Sequence, residues 1–261
     1  MMTENRPDFL ARALDRLSTA FTRYGVWHVL AYGTLLGAVR DGDIIPWDSD
    51  IDLFIRPTDM RRIEALNPRL AADGLEVRPV SLSADVLAVN PLGLAGGSGP
   101  RLRAFYEGQI VGDLYAFSLF DDGILRWYDV EHEVYWCPES SFPHYFVETL
   151  EPVTLRGRTY PAPHAAAQWL AGTYGPEWRT PFKVGDPRPA ETDVWGYRFR
   201  PRLHDEVAWC ETQGWDRGRY RGELRWPRAV VAAGPTGWAP PGGNPDEVRW
   251  WRTLVELHEH Y

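Results

Sequence analysis

Residues 33–55 of this chain read GTLLGAVRDGDIIPWDSDIDLFI and contain five acidic side chains. Three of these, Asp48, Asp50 and Asp52, occupy alternate positions and run into the apolar sequence IDLFI. Because side chains at i and i+2 of a strand project to the same face, we expect Asp50 and Asp52 to point together. Two carboxylates held so close repel each other, and a cation that prefers oxygen ligands, Mg²⁺ or Mn²⁺, relieves the repulsion.

A third carboxylate is expected from a neighbouring strand, as in metal sites that serve phosphoryl chemistry. The candidate is Asp113, which is the single acid in the β-rich sequence QIVGDLYAFSLF. Asp48 follows a turn at Pro46 and is predicted to lie at the rim, where it would contact substrate. The sequence therefore predicts a metal site formed by Asp50, Asp52 and Asp113, with Asp48 beside it.

A candidate phosphate-binding turn precedes these acids. Gly33 and Thr34 join a predicted strand to a predicted helix, where glycine permits close approach and the positive helix end favours an anion. Arg40, at the other end of this helix, is a candidate for pairing with a phosphate. The alternative for Arg40 is an exposed cation that complements the helix dipole.

These motifs carry a resemblance. Gly33-Thr34 followed by Asp50-Ile51-Asp52 resembles the signature of the nucleotidyltransferase fold. More narrowly, GTLLGAVR, IPWDSDID and YGPEWRTP resemble the LicD/fukutin family, and the resemblance covers residues 8–182. It implies a Mg²⁺-dependent transfer of a phosphorylated group, phosphocholine or ribitol phosphate in relatives, from a CDP-linked donor to a hydroxyl of a sugar, glycan or small metabolite. It also implies catalytic roles for the three metal-binding acids, with Asp113 a candidate for accepting the hydroxyl proton.

The chain departs from that family at two points. Asp48-Ser49-Asp50 stands where the family often has three aspartates, and Asp113 begins DLYAF where the family often has a D-I-F-P-L-D type sequence. Ser49 is expected to face away from the acids, so the pair formed by Asp50 and Asp52 is retained. The sequence beyond residue 182 lies outside the resemblance, which therefore does not identify the acceptor.

Other interpretations of the acids remain open. A nucleotidyltransferase that moves NMP from an NTP to a small molecule would use the same metal site, and a non-catalytic nucleotide-binding module would keep the same shape. Acids before a strand can also simply remain hydrated. A calcium loop is disfavoured because Leu53 stands where such a loop requires glycine.

The elements that must position these residues alternate between helix and strand. This order predicts an α+β (α/β-like) architecture of the nucleotidyltransferase type, with a mixed sheet flanked by helices and an aromatic-rich C-terminal extension. Helices are predicted over residues 7–24, 34–40, 58–73 and 164–175, and strands over 26–32, 50–55, 75–80, 101–106, 109–120 and 124–130, with a hairpin at 153–163.

We predict a catalytic domain at residues 1–182 and an extension at 183–261, packed on that domain, as a candidate acceptor-binding region. The net charge of -8 disfavours nucleic acid as a partner. No apolar segment reaches the ~18 residues of a membrane span, so no membrane insertion is expected. With only two cysteines, a disulfide scaffold is not expected and a cytoplasmic location is predicted.

Overall fold

The computed structural model describes residues 5–80, 94–95, 101–129, 134–136, 141–181, 183 and 202–220. The described residues fall into two compact units. The first unit draws on residues 1–80, 100–117 and 146–170, and the second on residues 81–99, 118–145 and 171–261. The division of the sequence at residue 182 stays a prediction.

Seven α-helices lie in the described part of the chain. They are α1 (Arg6–Arg23), α2 (Tyr32–Arg40), α3 (Met60–Ala65), α4 (Asn67–Leu70), α5 (Tyr145–Glu148), α6 (Ala166–Tyr174) and α7 (Arg202–Thr212).

Thirteen strands are described. They are β1 (His28–Leu30), β2 (Ile51–Ile55), β3 (Leu75–Pro79), β4 (Leu94–Ala95), β5 (Arg101–Tyr106), β6 (Gln109–Ala116), β7 (Ser118–Leu119), β8 (Ile124–Arg126), β9 (Tyr128–Asp129), β10 (Val134–Trp136), β11 (Phe142–Pro143), β12 (Leu150–Leu155) and β13 (Arg158–Pro163).

The first unit is built on a five-stranded sheet with the order β1-β2-β6-β5-β3. The central pair, β2 and β6, is parallel, and the other pairs are antiparallel. The predicted mixed sheet with flanking helices is therefore confirmed. The hairpin predicted at residues 153–163 is also confirmed, with β12 paired to β13 and its turn at Arg156 and Gly157.

Helix α1 confirms the helix predicted at residues 7–24. The side chain of Asn5 accepts a hydrogen bond from the amide of Asp8, which caps the first turn, and the helix buries an apolar face. The ring of Phe9 on this face contacts the ring of Tyr106, with centroids 5.4 Å apart. Since Tyr106 alternates with Arg103 along β5, α1 covers the sheet face opposite the one that bears Arg103. The core residues of this helix include Leu10, Leu14, Leu17 and Phe21.

One continuous helix was predicted at residues 58–73, and this prediction is wrong. Helices α3 and α4 are separate, and 3₁₀ turns flank them at Pro57–Asp59 and Ala71–Asp73. Pro68 has no amide hydrogen and so cannot continue the helical hydrogen bonding, which explains a new start at α4. Gly74, with φ of 74°, ends the segment as predicted.

The second unit contains two three-stranded sheets, β4-β10-β9 and β11-β8-β7, and helix α7. Helix α7 was not predicted, although Leu203, Val207 and Cys210 lie at helical spacing and are buried. Arg126 is fully buried in this unit and forks onto the carboxylate of Asp122 at 2.7 and 2.8 Å. Among the described residues, no helix combines the length and the apolar character that crossing a bilayer requires.

Candidate functional site: acids on two neighbouring parallel strands

Asp52 and Asp113 are direct partners in the parallel pair formed by β2 and β6. The two strands approach so closely at the preceding pair that a Cβ added to Gly112 would lie 1.8 Å from the carbonyl oxygen of Ile51. A glycine is therefore required there for the register that places the two acids side by side. The structure thus brings these two predicted residues together, and their metal-binding and catalytic roles stay predictions.

Asp52 lies at the centre of the acids, with only 9% of the residue exposed. Burial, followed by the charges of Asp50, Asp48 and Asp113, raises the pKa of Asp52 well above its ordinary value. A hydrogen bond from Tyr115 acts in the opposite direction. The backbone is fixed from the other side, because the Asp52 amide donates to the hydroxyl of Thr34 at 2.8 Å.

Asp48 and Asp50 continue the cluster towards solvent. Burial and the charge of Asp50 raise the pKa of Asp48 to about 7. Burial also raises the pKa of Asp50, and the carboxyl groups of the two residues share a hydrogen bond. Asp48 also accepts a hydrogen bond from the Ser49 amide at 2.9 Å. Both residues are partly exposed. The substrate-contacting role predicted for Asp48 at the rim stays a prediction.

The start of helix α2 lies against these carboxylates. A Cβ added to Gly33 would lie 2.6 Å from Oδ2 of Asp48 and 3.8 Å from Oδ2 of Asp52. The preceding residue, Tyr32, has φ of 40°, a left-handed conformation that an ordinary side chain adopts at a cost of roughly 1–3 kcal/mol. Glycine at position 33 and a strained residue before it therefore let the helix meet the acids.

Aromatic rings explain why Tyr32 holds this conformation. Its ring packs against Phe54, Tyr115 and Trp169, with centroid distances of 5.3, 5.2 and 5.8 Å. Phe54 and Tyr115 follow Asp52 and Asp113 by two positions on their strands, so these rings share the face of the acids. They form an apolar wall beside the carboxylates and contribute to their desolvation.

Asp113 is paired with two arginines that sequence reasoning missed. Arg103, its direct partner on β5, donates to the two carboxylate oxygens at 3.0 and 3.3 Å. Arg101 lies 3.4 Å from the second of these oxygens. The signal was present in the sequence RLRAFY, since Arg101 and Arg103 alternate with buried residues and must share one face.

The three acids predicted to hold a metal do not form a ready-made metal site. Among the described residues, no group of three or more His, Cys, Asp or Glu side chains is arranged to hold a metal ion. Arg103 engages both oxygens of Asp113. The chemistry of the donor set nonetheless fits a divalent cation, since the buried carboxylate of Asp52 faces the negative charges of Asp48, Asp50 and Asp113.

Arg6 is a third residue that sequence reasoning missed. Its guanidinium donates to the carbonyl oxygen of Ser49, at 2.5 and 3.1 Å, and to that of Ile110, at 2.8 Å. These contacts tie the segment that bears Asp48 and Asp50 to the beginning of β6. Arg6 thus fixes the segment before β2, with Asp48 and Asp50, relative to the strand that carries Asp113.

Arg40 does not point to the acids in the contacts that the structure describes. It forks onto the neighbouring carboxylate of Asp41, at 2.9 and 2.7 Å, and its side chain is 7% exposed. Its predicted role in phosphate binding stays a prediction.

The parallel strands β2 and β6 carry Asp52 and Asp113, and the Gly33-Thr34 start of α2 lies against the first of these acids. Residues 25–90, which contain every predicted site residue except Asp113, match the family described as LicD/FKTN/FKRP, nucleotidyltransferase domain. The match covers these residues alone.

Known relatives match part of the chain. The human ribitol 5-phosphate transferase FKRP is 29% identical over 154 residues, which are 58% of this chain and 28% of FKRP. The lipopolysaccharide cholinephosphotransferase LicD of Haemophilus influenzae is 39% identical over 49 residues, which are 19% of this chain and 18% of LicD. The chain therefore spans less than a third of the length of these relatives.

Among solved structures, the lincosamide antibiotic adenylyltransferase LnuA in its lincomycin-bound form is similar to this chain at 16% sequence identity. The likeness covers 69% of this chain and 89% of LnuA, with a TM-score of 0.38. At that TM-score the likeness carries no argument about fold or function.

Proposed function

We propose that this protein is a phosphotransferase that moves a phosphorylated alcohol from a CDP-linked donor to a hydroxyl group of a sugar, glycan or small metabolite. The proposal is supported by the family of residues 25–90 and by relatives whose names describe the transfer of ribitol 5-phosphate and of cholinephosphate. The single observation that carries it is the pairing of Asp52 with Asp113, beside Asp50 and against the start of α2.

In this reaction the acceptor oxygen attacks the β-phosphorus of the donor, the bond from that phosphorus to the bridging oxygen breaks, and CMP leaves. Asp50, Asp52 and Asp113 are the residues that would hold Mg²⁺ or Mn²⁺. When bound, such a cation neutralises negative charge on the diphosphate. One of the three carboxylates accepts the proton of the acceptor hydroxyl.

The start of helix α2 is the part of the chain that we assign to a donor phosphate. Amide groups in the first turn of a helix have no partner within the helix and carry the positive end of its dipole. Gly33 is partly exposed there, whereas Thr34 is 2% exposed and its hydroxyl accepts the amide of Asp52. Thr34 therefore acts mainly by holding Asp52, and Gly33 provides the close approach.

A donor panel tests this function. The protein is incubated with CDP-choline, CDP-ribitol and CDP-glycerol, each with a mixture of sugar and polyol acceptors, and CMP release is measured with Mg²⁺ and with EDTA. We expect Mg²⁺-dependent CMP release from at least one CDP-alcohol, and Asp52→Asn is the inactive control.

The same panel includes the four NTPs with the same acceptors, with pyrophosphate as the product measured. Pyrophosphate release without CMP release would replace the proposal by a nucleotidyltransferase. If the protein releases neither product and binds neither CDP nor a divalent cation, the proposed function is wrong.

A further inference from the structure

The row of charged side chains continues past Asp113 onto β5 and β3. Asp52, Asp113, Arg103 and Arg78 are successive partners across β2, β6, β5 and β3. Directly paired residues place their side chains on the same face of a sheet. Two acids and two arginines thus lie side by side on one face, and the change of sign falls between Asp113 and Arg103.

The arginines nearest the acids are partly buried. The side chains of Arg101 and Arg103 are 13% and 33% exposed, and that of Asp113 is 10% exposed. Arg78, by contrast, is 58% exposed and pairs with Glu76 at 2.6 Å. Arg101 and Arg103 therefore belong to the site, whereas Arg78 belongs to the protein surface.

Asp113 faces two competing demands. Its carboxylate is engaged by Arg103 on one side and lies beside the carboxylate of Asp52 on the other. A divalent cation placed between Asp50 and Asp52 would draw Asp113 away from the guanidinium groups. Arg101 and Arg103 would then present planar donor groups next to the cation, and such groups suit phosphate oxygens.

We propose that Arg101 and Arg103 are phosphate-binding residues that hold Asp113 until a divalent cation takes that carboxylate, and that then bind the diphosphate of the donor. This inference rests on the proposed function and adds to it the residues that recognise the phosphate groups. Donor binding would therefore depend on prior binding of the cation, because the two arginines are released for the donor only when the cation is present.

The first test measures Mn²⁺ binding without nucleotide, by electron paramagnetic resonance of the free ion. Arg103→Gln removes the competitor for Asp113 and is expected to bind Mn²⁺ about tenfold more tightly than wild type, the effect of losing one charge-assisted contact. Arg78→Gln removes an equal charge from the same row without touching Asp113, and its Mn²⁺ affinity is expected to change less than about twofold.

A second pair of variants separates the contact from a general charge effect. In the Asp113→Asn background, Arg103→Gln is expected to leave the Mn²⁺ affinity unchanged, because the competition that it relieves no longer exists. An equal gain in affinity with and without Asp113, or an equal gain in Arg78→Gln, would overturn the inference.

The second test measures CDP binding at saturating Mn²⁺ by calorimetry, with cytidine as the matched ligand that lacks phosphate. Arg103→Gln is expected to weaken CDP binding about tenfold or more while cytidine binding stays the same. Arg103→Lys keeps the charge but not the fork, and an intermediate loss is expected.

The outcomes distinguish this inference from the proposed function. Wild-type protein that binds neither Mn²⁺ nor CDP would remove both. Wild-type protein that binds both, with unchanged affinities in Arg103→Gln, would overturn this inference alone and leave the proposed function standing.

Discussion

Asp52 and Asp113 are partners in the only parallel strand pair of the described five-stranded sheet, although residues 53–112 separate them in the chain. Neither strand alone provides more than part of the site. The parallel register places both carboxylates on one face, and burial makes their mutual repulsion costly.

Asp52→Asn is expected to lower turnover about 10²- to 10³-fold or more, because it removes a carboxylate that would hold the charge-neutralising divalent cation. Without divalent cation its melting temperature is expected to equal or exceed that of wild type, since the carboxylate is buried among like charges. Thermal unfolding with EDTA and steady-state CMP release measure the two effects. The matched control is Asp59→Asn, which lies outside the row of acids and pairs with Arg62; full activity in Asp52→Asn would refute the model of the site.

Gly33→Ala is expected to reduce activity about tenfold or more with a loss of stability below about 1 kcal/mol, because the added methyl displaces only the end of a side chain. The displaced group is the carboxylate of Asp48, which lies 2.6 Å from the position of the new Cβ. Kinetics and chemical denaturation check the two values. As a control, Gly157→Ala adds a methyl at a hairpin turn where nothing lies within 4 Å, and it should leave activity unchanged although its φ of 74° makes it less stable.

Arg6→Gln is expected to lower the free energy of unfolding by about 1–3 kcal/mol, because it removes charged donors from two backbone carbonyl groups. Activity should fall as well, since Arg6 holds the segment of Asp48 and Asp50 against β6. Urea denaturation and turnover are the measurements. Arg23→Gln, on the same helix, breaks an exposed ion pair with Asp73 and is expected to cost less than about 1 kcal/mol; equal losses in both variants would argue against the proposed role of Arg6.

Because the acids of the site are buried together, we expect the free energy of unfolding to depend on pH when no divalent cation is present. The pKa of Asp48 is about 7 in the folded protein, above its value of roughly 3.9 in an unfolded chain. Because its pKa is raised on folding, Asp48 binds a proton more tightly in the folded state than in the unfolded state. The bound proton therefore contributes to the free energy of unfolding at low pH, and this contribution is lost as pH rises from about 4 to about 7. At pH 8 in EDTA, Asp48→Asn is therefore expected to be more stable than wild type by roughly 1–3 kcal/mol.

Urea denaturation of both proteins from pH 4 to pH 8 measures this difference. We expect the difference to vanish at the acid end and to shrink at pH 8 when Mg²⁺ is added. A difference that does not vary with pH would contradict the role of repulsion among Asp48, Asp50 and Asp52.

For His28 we expect the free energy of unfolding to change with pH in the opposite direction. Its Nδ1–H donates to the carbonyl of Val26 at 3.0 Å, and Nε2 accepts from the hydroxyl of Ser18 at 2.8 Å. Burial lowers the pKa of His28, although the Val26 carbonyl opposes this. As pH falls, His28 takes up a proton in the unfolded chain before it does so in the folded protein. The contribution of neutral His28 to the free energy of unfolding is therefore complete above about pH 6.5 and is lost below it.

The difference in unfolding free energy between wild type and His28→Gln tests this, because glutamine does not titrate. The wild type is expected to lose up to about 1.4 kcal/mol more per pH unit than the variant below pH 6. Parallel curves for the two proteins would show that His28 is not buried in its neutral form.

The sequence predicted the acids of this site better than their partners. Alternating aspartates beside an apolar strand, and one acid within a β-rich sequence, were sufficient to predict that Asp52 and Asp113 would come together from two strands. The partners depend on strand order, which no local pattern encodes. Arg103 lies next to Asp113 because β5 and β6 form an antiparallel hairpin, and Arg6 reaches Ser49 through the packing of α1.

Element boundaries were predicted where a single residue type decides them. Gly157 marks the hairpin turn and Gly74 the end of a helical segment, and both were predicted. The break between α3 and α4 was missed because the apolar spacing continues across Pro68, and α7 was missed because Leu203, Val207 and Cys210 lie among many other aromatic and polar residues.

A parallel strand pair cannot be closed by a tight turn, so the polypeptide must leave the sheet after β2 and return before β6 is laid down. A ribosome-bound chain that has not yet exposed residue 116 would therefore carry Asp50 and Asp52 without Asp113 beside them. The pairing of Asp52 with Asp113 is therefore completed late in synthesis, only after β6 has paired with β2.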